Sequence, residues 1–487
     1  MGGSFVADPL GYLERVWRRY GGVVEVAMAG VPVVLVLESG AAAGVLGPGS
    51  AVRRGVGDEA AAFAKRGTAF LPGSDLAGEG MLTSDGAVWR RQRRMAQGAL
   101  GAAAVASYAP GMVRCADAML AERWLPAANA GRAVDLYGDL NELTLDVAME
   151  SLFGVDPGGA DARGVREAIG TALDVLGRKT ANPLAMALPE WFPTPDAVRE
   201  RRAVETLDAF LYALIDARRL RRQRGGRGPS AGASGTRPCL LDLLLEAHDA
   251  GPAREDVEAG VALASGRERD AALRDELMTM LVAGQETSAI VLAWTLCLLG
   301  EHPEWEARAV AEVDGVLRAG GRLGLAAEDV DRLPLTEAVL LESMRLYPPA
   351  YIVGRCVQSD GETVGGYAVA RGTTVLVSPY VLHRDEATWG ADAVAFDPGR
   401  WGPDARAQWR ERQGRSEYVP FGAGQRACIG MGFAMQELVL VLATVLRRVE
   451  VRRPRGAPRL EDLRTPRLTM RPGAPLPALV RRRVRLP

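Results

Sequence analysis

The sequence predicts a mainly α-helical fold with a small β region, and three observations carry that prediction. Long segments rich in Ala, Leu, Val and Arg run with few breakers, the composition of buried and half-buried helices. Strand-like runs cluster only at residues 22–37 and 363–377. A glycine-punctuated loop holding one cysteine opens onto an apolar run at residues 432–446, which also lacks breakers. No internal repeat is visible.

Helices are expected at residues 10–20, 87–100, 197–222, 273–299, 303–317, 336–345 and 432–446. Residues 23–37 form the most apolar early stretch, but it is short and holds Glu25, Gly30 and Pro32. It is too broken to span a bilayer and reads as two strands around a turn at residues 29–31. The N-terminus lacks the basic and apolar regions of a signal peptide, so no membrane anchor is expected. Residues 221–238 are rich in Arg, Gly, Ser and Pro, the composition of a flexible loop. They contain G-P-S-A-G around Ser230, a match to the nucleophile elbow. That elbow needs a strand before it and a helix after it, and neither is expected here. Residues 1–487 are read as one domain.

Lys plus Arg number 59 against 60 Asp plus Glu, which gives no general affinity for nucleic acid. Five cysteines, an odd number without a C-x-x-C pair, argue against a disulfide framework or a zinc site. An intracellular, reducing compartment, the cytoplasm, fits best. Only Lys65 and Lys179 are lysines, an arginine bias that suggests a GC-rich bacterial genome.

The stretch Phe421 to Gly430, F-G-A-G-Q-R-A-C-I-G, is the most informative. Gly422 and Gly424 allow a tight turn. Cys428 stands at a helix N-terminus, two residues after Arg426, a position that favours thiolate. Such a thiolate suits a soft metal or haem iron. Two rival readings exist. A lone cysteine is usually a small buried hydrophobe. Gly422, Gly424 and Ala427 also spell a dinucleotide-binding turn, but Pro420 interrupts the strand that turn requires.

Three further constellations stand out. In A-G-Q-E-T-S, Ala283, Gly284 and Thr287 share a helix face. The Thr287 hydroxyl can bond the carbonyl four residues earlier, and Glu286 puts an acid in an apolar element, which demands a partner or a function. Glu342 and Arg345 form an i,i+3 pair flanked by apolar residues, a pattern that Glu461/Arg464 repeats. Trp89 and Arg93 lie four apart in a basic helix.

The motif F-x-x-G-x-R-x-C-x-G, matched by Phe421, Gly424, Arg426, Cys428 and Gly430, resembles the haem-binding loop of the cytochrome P450 family. The other constellations follow in that family's order, so the resemblance runs over nearly the whole chain and implies the cytochrome P450 fold. It implies haem b (iron protoporphyrin IX) with Cys428 as the proximal iron ligand. Phe421 would pack on the ligand loop, and Gly430 would let the next helix approach the porphyrin. Arg426, the Trp89/Arg93 pair and Arg355 would meet the haem propionates. Thr287 would hydrogen-bond dioxygen while Glu286 helps deliver protons. Glu342, Arg345 and Arg400 would form a structural triad behind the haem loop. The departures are mild: Glu286 replaces the commoner Asp, and Gln425 fills a variable slot.

The implied reaction is monooxygenation with O2 and electrons from NAD(P)H through ferredoxin and ferredoxin reductase in trans, by a monomer. The substrate would be an apolar small molecule of terpenoid, fatty-acyl or polyketide-like type, one of secondary metabolism. Candidate pocket residues are Leu82, Met280, Ala283, Gly284, Ala350, Tyr351, Ile352 and Val353. A peroxide-driven peroxygenase or haem isomerase, and a non-catalytic partner protein, are the alternatives. Arg90, Arg91 and Arg94, with Arg406, Arg410, Arg412 and Arg415, would border a docking face for an acidic electron donor.

Overall fold

A computed structural model describes residues 2–28, 30–47, 62–68, 76–157, 161–181, 194–224, 239–250, 256–257, 260, 266–473 and 475–483. Its centre is one 36-residue helix, Gly266–Glu301. It is apolar enough to cross a membrane by length and composition, yet it is mostly buried inside the protein. Its second half, from Ser288 to Leu299, is buried on every side, because it is walled by other helices. Leu136–Ala148, Pro334–Leu346 and Met431–Arg448 all pack against it. A helix buried all round needs no amphipathic stripe, which is why residues 273–299 read as a continuous apolar run.

The other expected helices form with small shifts of boundary. They span Pro9–Tyr20, Gly86–Gln97, Pro195–Gln223 and Pro303–Gly320. Local chemistry sets several starts: the Asp8 carboxylate accepts from the Gly11 amide at 2.9 Å, and the Thr194 hydroxyl accepts from the Ala197 amide at 3.0 Å. Each satisfies an orphan N–H at a helix start that also carries Pro at its first position. A further long helix, Asp161–Ala181, lies against Pro195–Gln223.

The two strand-like regions join one sheet. Val23–Met28 pairs antiparallel with Val31–Val36, which pairs parallel with Thr374–Val377. Thr374–Val377 pairs antiparallel with Val353–Val357, and Phe63–Ala64 closes that edge. The stretch 363–377 is in fact a short hairpin, Glu362–Val364 with Tyr367–Val369, followed by the sheet strand. Of the expected loop at 221–238, residues 221–223 are instead the last turn of a helix, since nothing before Arg224 stops it. Residues 225–238, Ser230 among them, lie outside the described residues, as does Ala29 of the expected turn.

Candidate functional site

The loop before the helix Met431–Arg448 is shaped by its glycines. Gly422 and Gly424 adopt φ of 71° and 64°, a region open at little cost to glycine alone. A Cβ on Gly424 would also lie 2.2 Å from the Leu46 carbonyl oxygen, so the backbone itself presses on residue 46. The loop closes when the Cys428 amide donates to the Phe421 carbonyl at 2.8 Å. Phe421 packs its ring 5.6 Å from Trp409. Cys428 sits deep among surrounding atoms and still presents open surface. We read this as a thiol lining an internal opening. Burial pushes its pKa up; the Gly430 amide, Arg93 and Lys65 oppose this without cancelling it. The bare thiol therefore stays protonated, contrary to the expectation from sequence, and the thiolate needs a further positive charge.

Cations converge on this thiol. Arg93 donates to the Ala427 carbonyl, the residue before Cys428, at 2.9 Å. Arg426 lies 4.2 Å above the Trp89 ring, with Arg93 at 5.5 Å. Arg426 also donates to the Ser84 carbonyl at 2.6 Å and pairs with Asp85. Arg355, on the strand Val353–Val357, is 4% exposed and donates to the Gly354 carbonyl; among the described residues no carboxylate pairs with it. Burial and the Arg426 charge lower its pKa to about 10. Lys65 donates to the Leu82 carbonyl at 3.2 Å. Burial, Arg355 and Arg426 lower its pKa to about 7, against the opposite pull of Asp85 and Cys428. Among the described residues, Lys65, Arg355 and Arg426 thus share one carboxylate, Asp85, and Arg93 has none. The Trp89 indole N–H also has no protein acceptor among the described residues. Such a surplus is costly unless anions arrive.

On the central helix, Ala283, Gly284 and Thr287 keep open surface while Gln285, Glu286 and Ser288 are buried. A Cβ on Gly284 would meet only Leu152, at 3.9 Å, so this face borders free space. The Thr287 hydroxyl bonds the Ala283 carbonyl at 2.9 Å. Glu286 is buried and fully engaged. Tyr137 and Arg471 donate to its Oε1 at 3.4 and 3.1 Å, and Thr469 donates to Oε2 at 2.8 Å. Next to Thr287, Ser288 donates to Glu437 at 2.7 Å. Burial pushes the Glu437 carboxyl up to about 8.

Behind the loop, Arg345 grips Glu342 through two 2.8 Å bonds, both residues being 0% exposed. Arg345 further donates to the His383, Ala393 and Ala395 carbonyls. Glu342 also accepts from the Asp397 amide and the Trp401 indole at 3.0 and 3.1 Å. Arg400 Nε lies 3.4 Å from Glu342 but outside hydrogen-bonding geometry. Its firmer bonds go to the Trp389 and Asp392 carbonyls.

Of the expected pocket residues, Ala283, Gly284, Ala350, Ile352, Val353 and Leu82 retain open surface, whereas Met280 and Tyr351 are packed in the core. Tyr351 is held there by a 2.9 Å bond to the Arg467 carbonyl. The expected docking face is largely neutralised. Arg91 is buried; Arg94, Arg406, Arg412 and Arg415 pair with Asp256, Glu337, Glu417 and Glu411. Arg410 stays exposed. Sequence reasoning missed Lys65, Asp85, Glu437 and Arg471. Lys65 alone carried a signal, being one of two lysines.

An accessible thiol, a surplus of cations and an open small-residue stripe fit an iron porphyrin, whose propionates would supply the missing negative charge. The family model described as Cytochrome P450 matches residues 7–476. Cyclooctatin synthase of Streptomyces melanosporofaciens is 34% identical over 77% of this chain and 74% of its own length. Cyclooctat-9-en-7-ol 5-monooxygenase of the same organism is 34% identical over 80% and 76%. Pentalenene oxygenase of Streptomyces avermitilis is 32% identical over 79% and 76%. The crystal structure of a cytochrome P450, CYP102L1, superposes with TM-score 0.77 at 25% identity, covering 98% of both chains.

Proposed function

The chain belongs to the cytochrome P450 family and is a monooxygenase, and from that premise we propose that residues 1–487 act as one haem b domain oxidising an apolar, terpenoid-like molecule. When bound, the haem supplies dioxygen activation. Cys428 would bind its iron. Trp89, Arg93, Arg355, Arg426 and Lys65 receive the propionates. Phe421, Gly424 and Gly430 shape the ligand loop. Thr287 would present its hydroxyl to dioxygen, and Glu286 would supply protons to that side. The balance is R–H, O2, two electrons and two protons to R–OH and water. Glu342, Arg345 and Arg400 hold the scaffold. Substrate lies against Ala283, Gly284, Ala350, Ile352, Val353 and Leu82, with Met280 and Tyr351 behind them. Electrons come from NAD(P)H through ferredoxin reductase and ferredoxin, in the cytoplasm, to a monomer. The names of the relatives, built on pentalenene and cyclooctat-9-en-7-ol, support a hydrocarbon skeleton with few polar groups over fatty-acyl or polyketide-like alternatives.

The observation that carries this reading is the accessible Cys428 thiol set among surplus cations. The reduced carbon-monoxide complex should show the red-shifted Soret band of thiolate ligation, and Cys428→Ser should abolish it. A variant that keeps the band would refute the assignment. Titration of the spin state with pentalenene-like hydrocarbons, fatty acids and macrolactones then identifies the substrate class.

A further inference from the structure

The Glu342 network and the Cys428 loop meet at one side chain, His383. It follows the short helix Pro379–Leu382 and is 0% exposed. Its backbone is fixed on both sides: its amide donates to the Pro379 carbonyl at 2.9 Å, and its carbonyl accepts from Arg345 at 2.8 Å. The short helix is itself anchored, because the Ser378 hydroxyl at its start donates to the Tyr351 carbonyl at 3.0 Å. The ring reaches the other way. Its Nε2 accepts the Val419 amide at 2.9 Å, and its centre lies 4.8 Å from that of the Tyr418 ring. Tyr418 is held in turn by its hydroxyl, which donates to the Leu341 carbonyl at 2.6 Å.

Val419 stands at the entry to the loop. The next residue, Pro420, has no N–H to offer. The Val419 carbonyl accepts from the Gly422 amide at 3.0 Å, and the Phe421 carbonyl from the Cys428 amide at 2.8 Å. Hydrogen bonds therefore run from Arg345 through His383 and Val419 into the loop. An N–H is accepted only by an unprotonated ring nitrogen, so Nδ1 carries the proton and the imidazole is neutral. The surroundings enforce this. Burial, then the charges of Arg345 and Arg384, hold the His383 pKa well below the usual histidine range, and the Arg345 and Met344 backbone opposes them only in part. Glu342 is already paired with Arg345. Tyr418 stays a neutral phenol, since burial and then the Glu342 charge push its pKa far up.

We propose that His383 is a positioning residue for the thiolate loop: as a neutral acceptor it fixes Val419 and thereby sets where Cys428 stands. Protonation turns Nε2 into a second donor facing the Val419 N–H and adds a cation beside Arg345 and Arg384. The native fold resists that proton while the unfolded chain takes it up, so this support is lost as pH falls below the ordinary histidine range. Acid thus releases the loop from behind. The inference rests on the haem-thiolate reading and adds to it an acid-sensitive anchor.

The test follows the reduced carbon-monoxide band of the holoenzyme as pH is lowered from neutral, in the wild type, His383→Gln and His383→Phe. Gln keeps a neutral acceptor but cannot titrate, so its thiolate band should survive to a pH lower by about one unit, tenfold in proton concentration. Phe keeps a ring against Tyr418 but removes the acceptor, so its thiolate band should already be weaker than the wild type's at neutral pH. Hydrogen exchange at residues 419–422, read on the haem-free chain as well, should be about tenfold faster in His383→Phe and close to wild type in His383→Gln. An acid transition in His383→Gln that coincides with the wild type's overturns the proposal, as does wild-type exchange in His383→Phe. If His383→Phe does not fold, His383→Gln still decides the matter. An absent carbon-monoxide band in the wild type would instead defeat the haem-thiolate reading, and the exchange experiment would still judge the Val419 anchor.

Discussion

Two regions of this protein bury arginine, and they do so in opposite ways. Around Glu342, Arg345 is met by a bidentate carboxylate and three carbonyls. Around Cys428, among the described residues, Arg355, Arg426 and Lys65 share the single carboxylate of Asp85, and Arg93 has none. The first region is electrostatically finished and the second is not. A buried network with every member satisfied specifies a structure. One with unmatched charge is a receptor, and its stability depends on what it binds.

The contrast breaks most sharply at Glu342. Glu342→Gln or Arg345→Leu leaves one buried charge alone and should cost ~3–5 kcal/mol, with or without haem. Denaturant unfolding and soluble yield check this, and a well-folded, fully active variant would end the structural assignment.

Arg355→Met should behave in the opposite sense. Removing an unmatched buried cation should leave the haem-free protein as stable as before, or more stable by ~1–2 kcal/mol. The same variant should release haem faster, by about tenfold. Transfer of haem to apomyoglobin gives the rate, and chemical unfolding of haem-free protein gives the stability. If both fall together, the cation cluster is as structural as the Glu342 pair.

Lys65 sharpens the comparison through pH. Its folded pKa, about 7, lies below its unfolded value, so the unfolded chain binds more protons between the two. Stability of the haem-free protein should therefore rise with pH through that window, the penalty being fully present below pH 7. Part of the Lys65 surface remains open, which softens the effect. Cys428 works the other way at higher pH, because its pKa is raised, so pH 7 to 8.5 is the interval to measure. Lys65→Met should flatten the slope.

The smallest effect is expected at Arg400. It misses hydrogen-bond geometry with Glu342, and its carboxylate partner Asp392 is exposed. Arg400→Ala should cost about 1 kcal/mol, measured on the same unfolding curves as Glu342→Gln.

The helices were legible because apolar runs and proline starts are local. So were the Cys428 loop and the Thr287 back-bond, whose geometry follows from spacing. Spacing alone did not separate Glu342/Arg345 from Glu461/Arg464. In the latter, Arg464 donates to the Glu461 carbonyl and no ion pair forms with its carboxylate. Burial, which only the fold supplies, makes the difference. Spacing could not show how the expected docking face is paired either: the acids that meet Arg94, Arg406 and Arg412 come from elsewhere in the chain or from the far side of a turn. Asp85 and Arg471 were invisible because their decisive partners, Arg426 and Glu286, lie 341 and 185 residues away.

The loop that carries Cys428 is also a knot in time. Arg426 reaches Ser84 across 342 positions, and Arg93 reaches Ala427 across 334, while Gly424 leans on Leu46. Contacts so distant in sequence form late. On the ribosome the N-terminal half is made long before its partner exists. The surplus cations therefore stay apart, each in water, until residues 421–430 emerge and draw them together. Assembly of the cofactor site is thus a closing event of biosynthesis, and a nascent or prematurely ended chain exposes no half-built version of it to capture porphyrin out of turn.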